Sequence, residues 1–305
     1  MQHKAAATPT VLVTGSNGQV GFELRRSLAP LAKVVALDRN ACDLSDPQGI
    51  RRVVREVRPD VIVNAAAYTA VDKAETESAL AYAINCTAPG ILSELAHEAG
   101  SLFVHYSTDY VFAGDGTRPY TEQDQVGPLS VYGKSKLAGE QAIADSGAQA
   151  IVFRTCWVAG AHGGNFAKTM LRLGRECDVL RVIADQFGAP TTASLIADVT
   201  AHVVDRAWLH GDRTAFPGGI YHLAASGETS WHGYATEVLR YAASRGVVLK
   251  ADPSAIEAIP ATAYPLPAVR PANSRLDTGK LRATFDIHLP DWQYGVRHLL
   301  DQILS

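Results

Sequence analysis

The chain has 305 residues, 47% of them hydrophobic, with 28 Lys and Arg against 31 Asp and Glu for a formal net charge of −3. That length and apolar content support a substantial core, as one large domain or two modest ones, and argue against intrinsic disorder. A near-balanced charge without long Lys/Arg clusters leaves no electrostatic footprint for nucleic acid or an anionic membrane, so a small-molecule partner is expected.

Cys42, Cys86, Cys156 and Cys177 are widely spaced without a Cys-x-x-Cys pair, and the ten histidines include no His-Glu-x-x-His run. Buried thiols are expected, with no metal site and no disulfide framework. The leading "MQHKAAATPT" lacks the apolar core of a signal peptide, and no stretch approaches the roughly 18 apolar residues of a membrane span. A reduced, cytoplasmic protein is the expectation.

The segment "TVLVTG" (10–15) predicts a strand stopped by glycine, and "QVGFELRRSLAPL" places Val20, Leu24 and Leu28 one helical turn apart. "AKVVALD" reads as a second buried strand ending in Asp38. In "LSDPQGIRRVVREVRPDVIVNAAA", Ser45 or Asp46 can cap a helix, Pro47 suits its first turn, and Ile50, Val53, Val54 and Val57 form one stripe. Arg58-Pro59-Asp60 breaks that helix before the strand "VIVN". A fourth unit runs from the helical "ALAYAINCTAPGILSELAHEAG" into "LFVHYSTD", and a fifth from "YGKSKLAGEQAIADSG" into "AIVFRTCWV".

Strands alternating with helices in this way predict an α/β fold, a doubly wound parallel sheet of Rossmann type. Ligands of such sheets lie at the carboxyl ends of the strands, here Gly15 to Gly21, Asp38, Asn64 to Ala67, Ser107 to Asp109 and Arg154 to Trp157. Beyond about residue 158 the pattern loosens, through the helix "AKTMLRLGRE", the loop "DQFGAPTTAS", another helix and the strand "GIYHLAA", to a Pro-rich end. The expected division is a dinucleotide-binding domain over 1–160, with 186–225 packing back onto it, and a smaller, irregular substrate-binding region from 161–185 and 226–305 folded over the ligand edge.

Gly15-x-x-Gly18-x-x-Gly21 follows a strand and opens a helix, the setting in which glycines permit a tight turn and close approach of a pyrophosphate to a helix N-terminus. Asp38 can accept hydrogen bonds from an adenosine ribose, which favours NAD, while Arg39 beside it can hold a 2′-phosphate, which favours NADP. Asp43 and Leu44, and the run from Asn64 to Thr69, are expected at the adenine-side and ribose-side strand ends, although each taken alone fits an ordinary loop equally. Tyr132 and Lys136 lie four apart at the start of a helix and project from one face. An ammonium within about 4–6 Å favours the phenolate and lowers a tyrosine by about 1–3 units, making a tuned proton donor. Thr108 and Asp109 end the preceding strand, where a hydroxyl can bond the same substrate oxygen. These are the parts of a carbonyl reductase.

On these motifs the chain resembles the extended short-chain dehydrogenase/reductase family, and within it the dTDP-4-dehydrorhamnose reductases. The likeness covers nearly the whole chain, through "RPDVIVNAAAYTAVDKAE", "VHYSTDYVFAG", "VYGKSKLAGE", "FRTCWVAG", "VIADQFGAPT" and "RPANSRLDT". It implies hydride transfer from NADPH or NADH to the C4 ketone of dTDP-4-dehydro-β-L-rhamnose, with Tyr132 giving the proton, Lys136 orienting the cofactor ribose and lowering the tyrosine, and Thr108 and Asp109 holding the sugar. The implied cofactor set is Gly15, Gly18, Gln19, Val20, Gly21, Asp38, Arg39, Asp43, Leu44, Ala65, Ala66, Ala67, Tyr106, Tyr132 and Lys136. On the substrate side Trp157 would lie against the sugar, and Gln186, Pro190, Arg270 and Asn273 would close over the nucleotide.

Tyr68 and Ala159 stand where the family often has histidine or tyrosine. Gln293 and Gln302 replace acids that join some members into metal-assisted dimers, so a monomer or weak homodimer without metal is expected. A 4,6-dehydratase would need a further acid beside Asp109, where Tyr110 stands. Another nucleotide-sugar ketoreductase or an epimerase, or a non-catalytic NADP-binding regulatory subunit, would share the fold.

Overall fold

The structure, a computed structural model, describes residues 8–304. The leading MQHKAAA, part of the stretch read above for a signal peptide, and Ser305 lie outside the described residues. The chain starts with β1 (Thr10–Thr14), α1 (Gln19–Leu28), β2 (Lys33–Leu37), α2 (Pro47–Val57) and β3 (Val61–Asn64). Asp46 caps α2 by accepting from the Gln48 N–H at 3.1 Å, Ile50, Val53 and Val54 are its buried stripe, and Arg58 stops it in the left-handed region at φ 48°.

Two short helices, α3 (Val71–Ala74) and α4 (Ser78–Tyr82), lead through a wide π-helical turn at 83–87 into α5 (Ala88–Ala99). The sequence predicts one unbroken helix here, and Pro89 is the reason for the difference. Proline has no N–H to offer the Asn85 carbonyl four residues back, and its ring displaces that carbonyl. The freed oxygen presses so closely on Gly139 that a Cβ there would lie 2.1 Å from it.

Next come β4 (Leu102–Thr108), α6 (Val131–Asp145, capped by Ser130 Oγ accepting from the Gly133 N–H at 3.1 Å) and β5 (Ala150–Thr155). The remainder comprises β6 (Val158–Ala159), α7 (Phe166–Glu176), β7 (Arg181–Ile183), β8 (Phe187–Gly188), β9 (Thr191–Thr192), α8 (Ala193–Val203), β10 (Gly219–His222), β11 (Thr229–Ser230), α9 (Trp231–Ser244), β12 (Glu257–Ile259), α10 (Gly279–Phe285) and α11 (Trp292–Leu304).

The central sheet is parallel throughout, in the order β2-β1-β3-β4-β5-β10. It therefore has a sixth strand, β10, drawn from the looser part of the sequence. Its order reverses between β1 and β3, the switch point beside which such sheets bind ligands. Alternate strand residues feed two cores. Val11, Val13, Val61, Val63, Val104 and Phe153 pack toward α1 and α8, while Leu12, Ile62, Phe103 and Val152 pack toward α2 and α5. A third core, with Met170, Leu171, Tyr234, Val238, Leu239 and Leu300, joins α7, α9 and α11 beyond the carboxyl edge.

Candidate active site

The first strand ends at Thr14, and the turn after it is compact because two positions exclude a side chain. Gly15 has φ +70°, and a Cβ there would sit 2.7 Å from the Ala66 backbone; one on Gly21 would lie 2.1 Å from the Gly15 carbonyl oxygen. Gly18 caps α1 with no side-chain hydrogen bond, so no side chain takes the first N–H groups of the helix, at Gln19 and Val20. Such a terminus, carrying partial positive charge, suits a phosphate.

Around it, Asp38 braces the turn, Oδ1 accepting from the Asn40 and Ala41 N–H groups and Oδ2 from Asn17 Nδ2 at 3.1 Å. Arg39 is exposed, 3.8 Å from Asp43, whose Oδ1 accepts from Ser45. Ala65, Ala66 and Ala67 lie half-buried at the end of β3, whereas Leu44 is a core side chain. The Gln19 carboxamide accepts from the Gly160 N–H and from Asn165 Nδ2, and His162 stacks on Phe22 at 4.4 Å. The segment 160–165 thus covers the glycine turn, a role that no motif in its sequence announces.

At the carboxyl end of β4, Thr108 Oγ1 donates to Asp109 Oδ1 at 3.0 Å, and the Thr108 hydroxyl favours the charged form of the half-buried Tyr132 phenol. Burial pushes Tyr132 up to about 12, against the lowering by Thr108, and the Asp109 charge adds to the rise. The expectation that Lys136 lowers this tyrosine is thus corrected. Lys136 Nζ instead donates to the Tyr106 carbonyl at 2.6 Å and meets His105 Nε2 at 3.0 Å, so its charge is directed at β4. Burial brings Lys136 down to about 8, offset in part by Glu140. Tyr106 also departs from its expected place: its phenol is in the core, bonded to Thr200 at 2.8 Å, and only its carbonyl faces this cluster.

Burial lifts Asp109 to about 6, against the lowering influence of the Ser274 and Thr108 hydroxyls. Its Oδ2 has no partner among the described residues, nor do the buried Ser107 Oγ and Thr155 Oγ1 on the neighbouring strand ends. Buried polar atoms without partners are costly, and three near one sheet edge mark a place that a polar ligand completes. With the uncapped helix start, they fit a dinucleotide and a polar substrate.

Across the edge, Trp157 adopts φ +47°, a left-handed conformation that a bulky side chain seldom takes and that costs of order 1–3 kcal/mol. Its ring stacks on Trp231 at 3.7 Å and lies so close to Gly188 that a Cβ there would be 2.7 Å away. Gln186 and Pro190, two residues to either side of Gly188 in the chain, are buried. Arg270 and Asn273, expected over the nucleotide, hold the chain instead. Arg270 Nη2 pairs with Asp72 at 2.8 Å, and Asp72 also takes the Ala268 N–H. Asn273 Nδ2 donates to the Arg118 carbonyl, while its Oδ1 accepts from Arg275. Asp72 and Glu75, which accepts from the Val131 N–H, tie the region after β3 to the residues around the site.

The RmlD substrate binding domain family matches residues 9–305. A dTDP-4-dehydrorhamnose reductase of Salmonella typhimurium is 50% identical over 299 residues, covering 97% of this chain and 98% of that protein. The chain belongs to the dTDP-4-dehydrorhamnose reductase family. Two solved members of the family superpose with TM-scores of 0.87. One from Clostridium acetobutylicum is 34% identical, covering 97% of this chain and 100% of that one, and one from Bacillus anthracis, in complex with NADP, is 31% identical, covering 97% and 99%.

Proposed function

We propose that the chain reduces the C4 ketone of dTDP-4-dehydro-β-L-rhamnose to dTDP-β-L-rhamnose, using NADPH or NADH. The observation that carries this reading is the Thr108, Asp109 and Tyr132 cluster, one helical turn from Lys136 and on the same sheet edge as the glycine turn. Gly15, Gly18 and Gly21 with the N–H groups of Gln19 and Val20 seat the pyrophosphate; Asp38 and Arg39 face the adenosine; and Ala65, Ala66 and Ala67 flank the strand switch. The bound dinucleotide supplies a hydride to C4.

As that carbon gains two electrons, the carbonyl oxygen becomes an alkoxide and takes the Tyr132 proton. A phenol held near 12 keeps its proton across the physiological range until the alkoxide develops. The Thr108 hydroxyl stands beside the reacting oxygens, and Lys136, held by His105 and the Tyr106 carbonyl, keeps one N–H for the cofactor ribose. Trp157, Gln186 and Pro190 line the sugar side, with Arg270 and Asn273 holding the strap that covers it. The dinucleotide domain is 1–160 with 186–225 against it, and 161–185 with 226–305 form the sugar-nucleotide region. We read the chain as a cytoplasmic monomer or weak homodimer that makes a cell-surface polysaccharide precursor. No helix among the described residues is long and apolar enough to cross a membrane.

The test is loss of reduced-nicotinamide absorbance with dTDP-4-dehydro-β-L-rhamnose and NADPH or NADH. Wild type should oxidise one or both quickly, and Tyr132→Phe should lose about 10²–10⁴ in kcat while still binding cofactor. Cofactor binding without oxidation would leave a regulatory binding protein or an enzyme for another sugar.

A further inference from the structure

Lys136 is anchored by a buried polar chain that no motif reveals. Thr14, Asn64 and His105 are direct register partners on three adjacent parallel strands, Thr14 with Asn64 and Asn64 with His105, so their side chains emerge side by side on the face that α6 covers. Thr14 Oγ1 donates to Asn64 Oδ1 at 2.6 Å, Asn64 Nδ2 lies 3.1 Å from His105 Nδ1, and His105 Nε2 lies 3.0 Å from Lys136 Nζ. Thr14, Asn64, His105 and Lys136 are each at most 1% exposed. The chain thus runs from the residue just before Gly15 to the lysine beside Tyr132.

From this geometry we infer that His105 is a positioning residue for Lys136, holding its ammonium charged and aimed through a neutral imidazole that Asn64 and Thr14 fix in one tautomer. The inference rests on the reductase reading for its kinetic consequence, though not for its structural one. An ammonium has three protons to donate and accepts none. The Tyr106 carbonyl and His105 Nε2 take two, which leaves one N–H for the phenol or a ribose hydroxyl. Because Nε2 accepts, Nδ1 carries the ring proton and needs an acceptor of its own. The Asn64 carboxamide supplies it once turned end for end, a flip that exchanges two groups of nearly the same shape and puts its oxygen toward the ring and its NH2 toward the Thr14 hydroxyl.

The charges around this chain support the assignment. His105 is held well below the usual histidine value by burial and by Lys136, which favours the neutral imidazole that can accept. Lys136 meets His105 and the Tyr106 carbonyl from β4 and feels Glu140 of its own helix, with Arg154 of β5 neutralising Glu140. Burial already works against the ammonium. Removing the imidazole acceptor takes away a hydrogen bond to the charged form alone, so the lysine titrates lower and the charge is lost at a lower pH.

The experiment is a titration of the lysine side chains by NMR in the full chain, selectively labelled in lysine with ¹³C at Cε. The Lys136 signal is identified by its absence from Lys136→Met. In His105→Phe the Lys136 midpoint should fall by about one pH unit below wild type. In His105→Gln, whose amide oxygen can still accept, most of that shift should be recovered. Asn64→Ala, which keeps the imidazole but frees its far side, should shift the midpoint the same way by less, and it decides the matter if His105→Phe does not fold. A wild-type midpoint in His105→Phe, or in Asn64→Ala where His105→Phe does not fold, overturns the proposal. With dTDP-4-dehydro-β-L-rhamnose and NADPH, the alkaline limb of kcat/KM should move down with the midpoint; reduced activity over an unmoved limb would overturn positioning in favour of a merely structural role. If wild type turns over no substrate, the reductase reading fails, while the NMR titration still decides the role of His105.

Discussion

Arg154 grips Glu140 in a bidentate pair beneath the active site, Nε to Oε1 at 2.9 Å and Nη2 to Oε2 at 2.6 Å, with both side chains 3% exposed. The guanidinium also lies over the Phe112 ring at 5.1 Å, and its Nη1 has no partner among the described residues. Taking two charges out of water costs more than geometry usually returns, but removing only one is worse, because the other stays buried and uncompensated. Arg154→Met should therefore lose about 3–5 kcal/mol in urea unfolding. Arg154→Met combined with Glu140→Leu should regain most of it, and a double variant as unstable as the single one would refute this account.

The raised Asp109 carboxyl makes a stability prediction of definite sign. Its folded value is about 6 against 3.8 in a model peptide. Between those values the folded chain keeps a proton that the unfolded chain releases, so the contribution of this group to stability falls as pH rises through the window and stays lost above it. At pH 7 the cost is about 3 kcal/mol. Asp109→Asn should be the more stable protein at pH 7, by somewhat less than that, and should lose its advantage near pH 4, while its reductase activity drops. Melting curves at the two pH values decide it, and an Asn variant less stable at pH 7 would show that the carboxylate is well compensated in the folded chain.

Lys136 carries a cost of opposite pH sense. Its value falls from 10.5 to about 8, so the unfolded chain binds the extra proton between those values and stability rises with pH across that window. Lys136→Met should raise the melting temperature at pH 7 and narrow that gain by pH 10, with turnover lost. Equal melting temperatures at pH 7 would mean that the ammonium is fully compensated by its two acceptors.

Within the glycine turn Gly21 and Gly18 should not respond alike. Gly21→Ala places a Cβ 2.1 Å from the Gly15 carbonyl oxygen, where only backbone can give way, and should cost about 2–4 kcal/mol or prevent folding. Gly18→Ala meets that same oxygen at 3.2 Å with φ −78°, so it should fold with a near-native melting temperature. Melting and NADPH fluorescence titrations of the two proteins make the comparison. Similar damage from both would count against the close approach of α1 to the turn.

Asp72 bears on substrate affinity more than on stability. Its pair with Arg270 is partly exposed, 38% and 18% by side chain, so Asp72→Ala should change stability by less than about 1 kcal/mol. Freed from Asp72, the segment 268–270 loses its tie to α3, and KM for the sugar nucleotide should rise on the order of tenfold with kcat little changed. A fall in kcat at constant KM would place Asp72 in the chemistry instead.

The sequence by itself determined the strand, turn and helix units, because apolar period, caps and glycine stops act over a few residues. Asp46 and Pro47 start α2 where the pattern places them, and the Tyr132 to Lys136 spacing fixes both on one helix. Even the π turn before α5 has a local cause in Pro89, although periodicity alone passes over it. Only the tertiary structure decided where Lys136 aims. Its acceptors, His105 and the Tyr106 carbonyl, are about thirty residues away in sequence, and parallel register, a property of contacts between distant segments, is what aligns Thr14, Asn64 and His105. Tertiary packing likewise committed the Asn273 amide to Arg118 and Arg275, and brought β10 to the sheet edge beside β5. The reason is general: residue type and spacing fix which groups can donate, accept or carry charge, whereas burial and long-range pairing fix which partner each one meets.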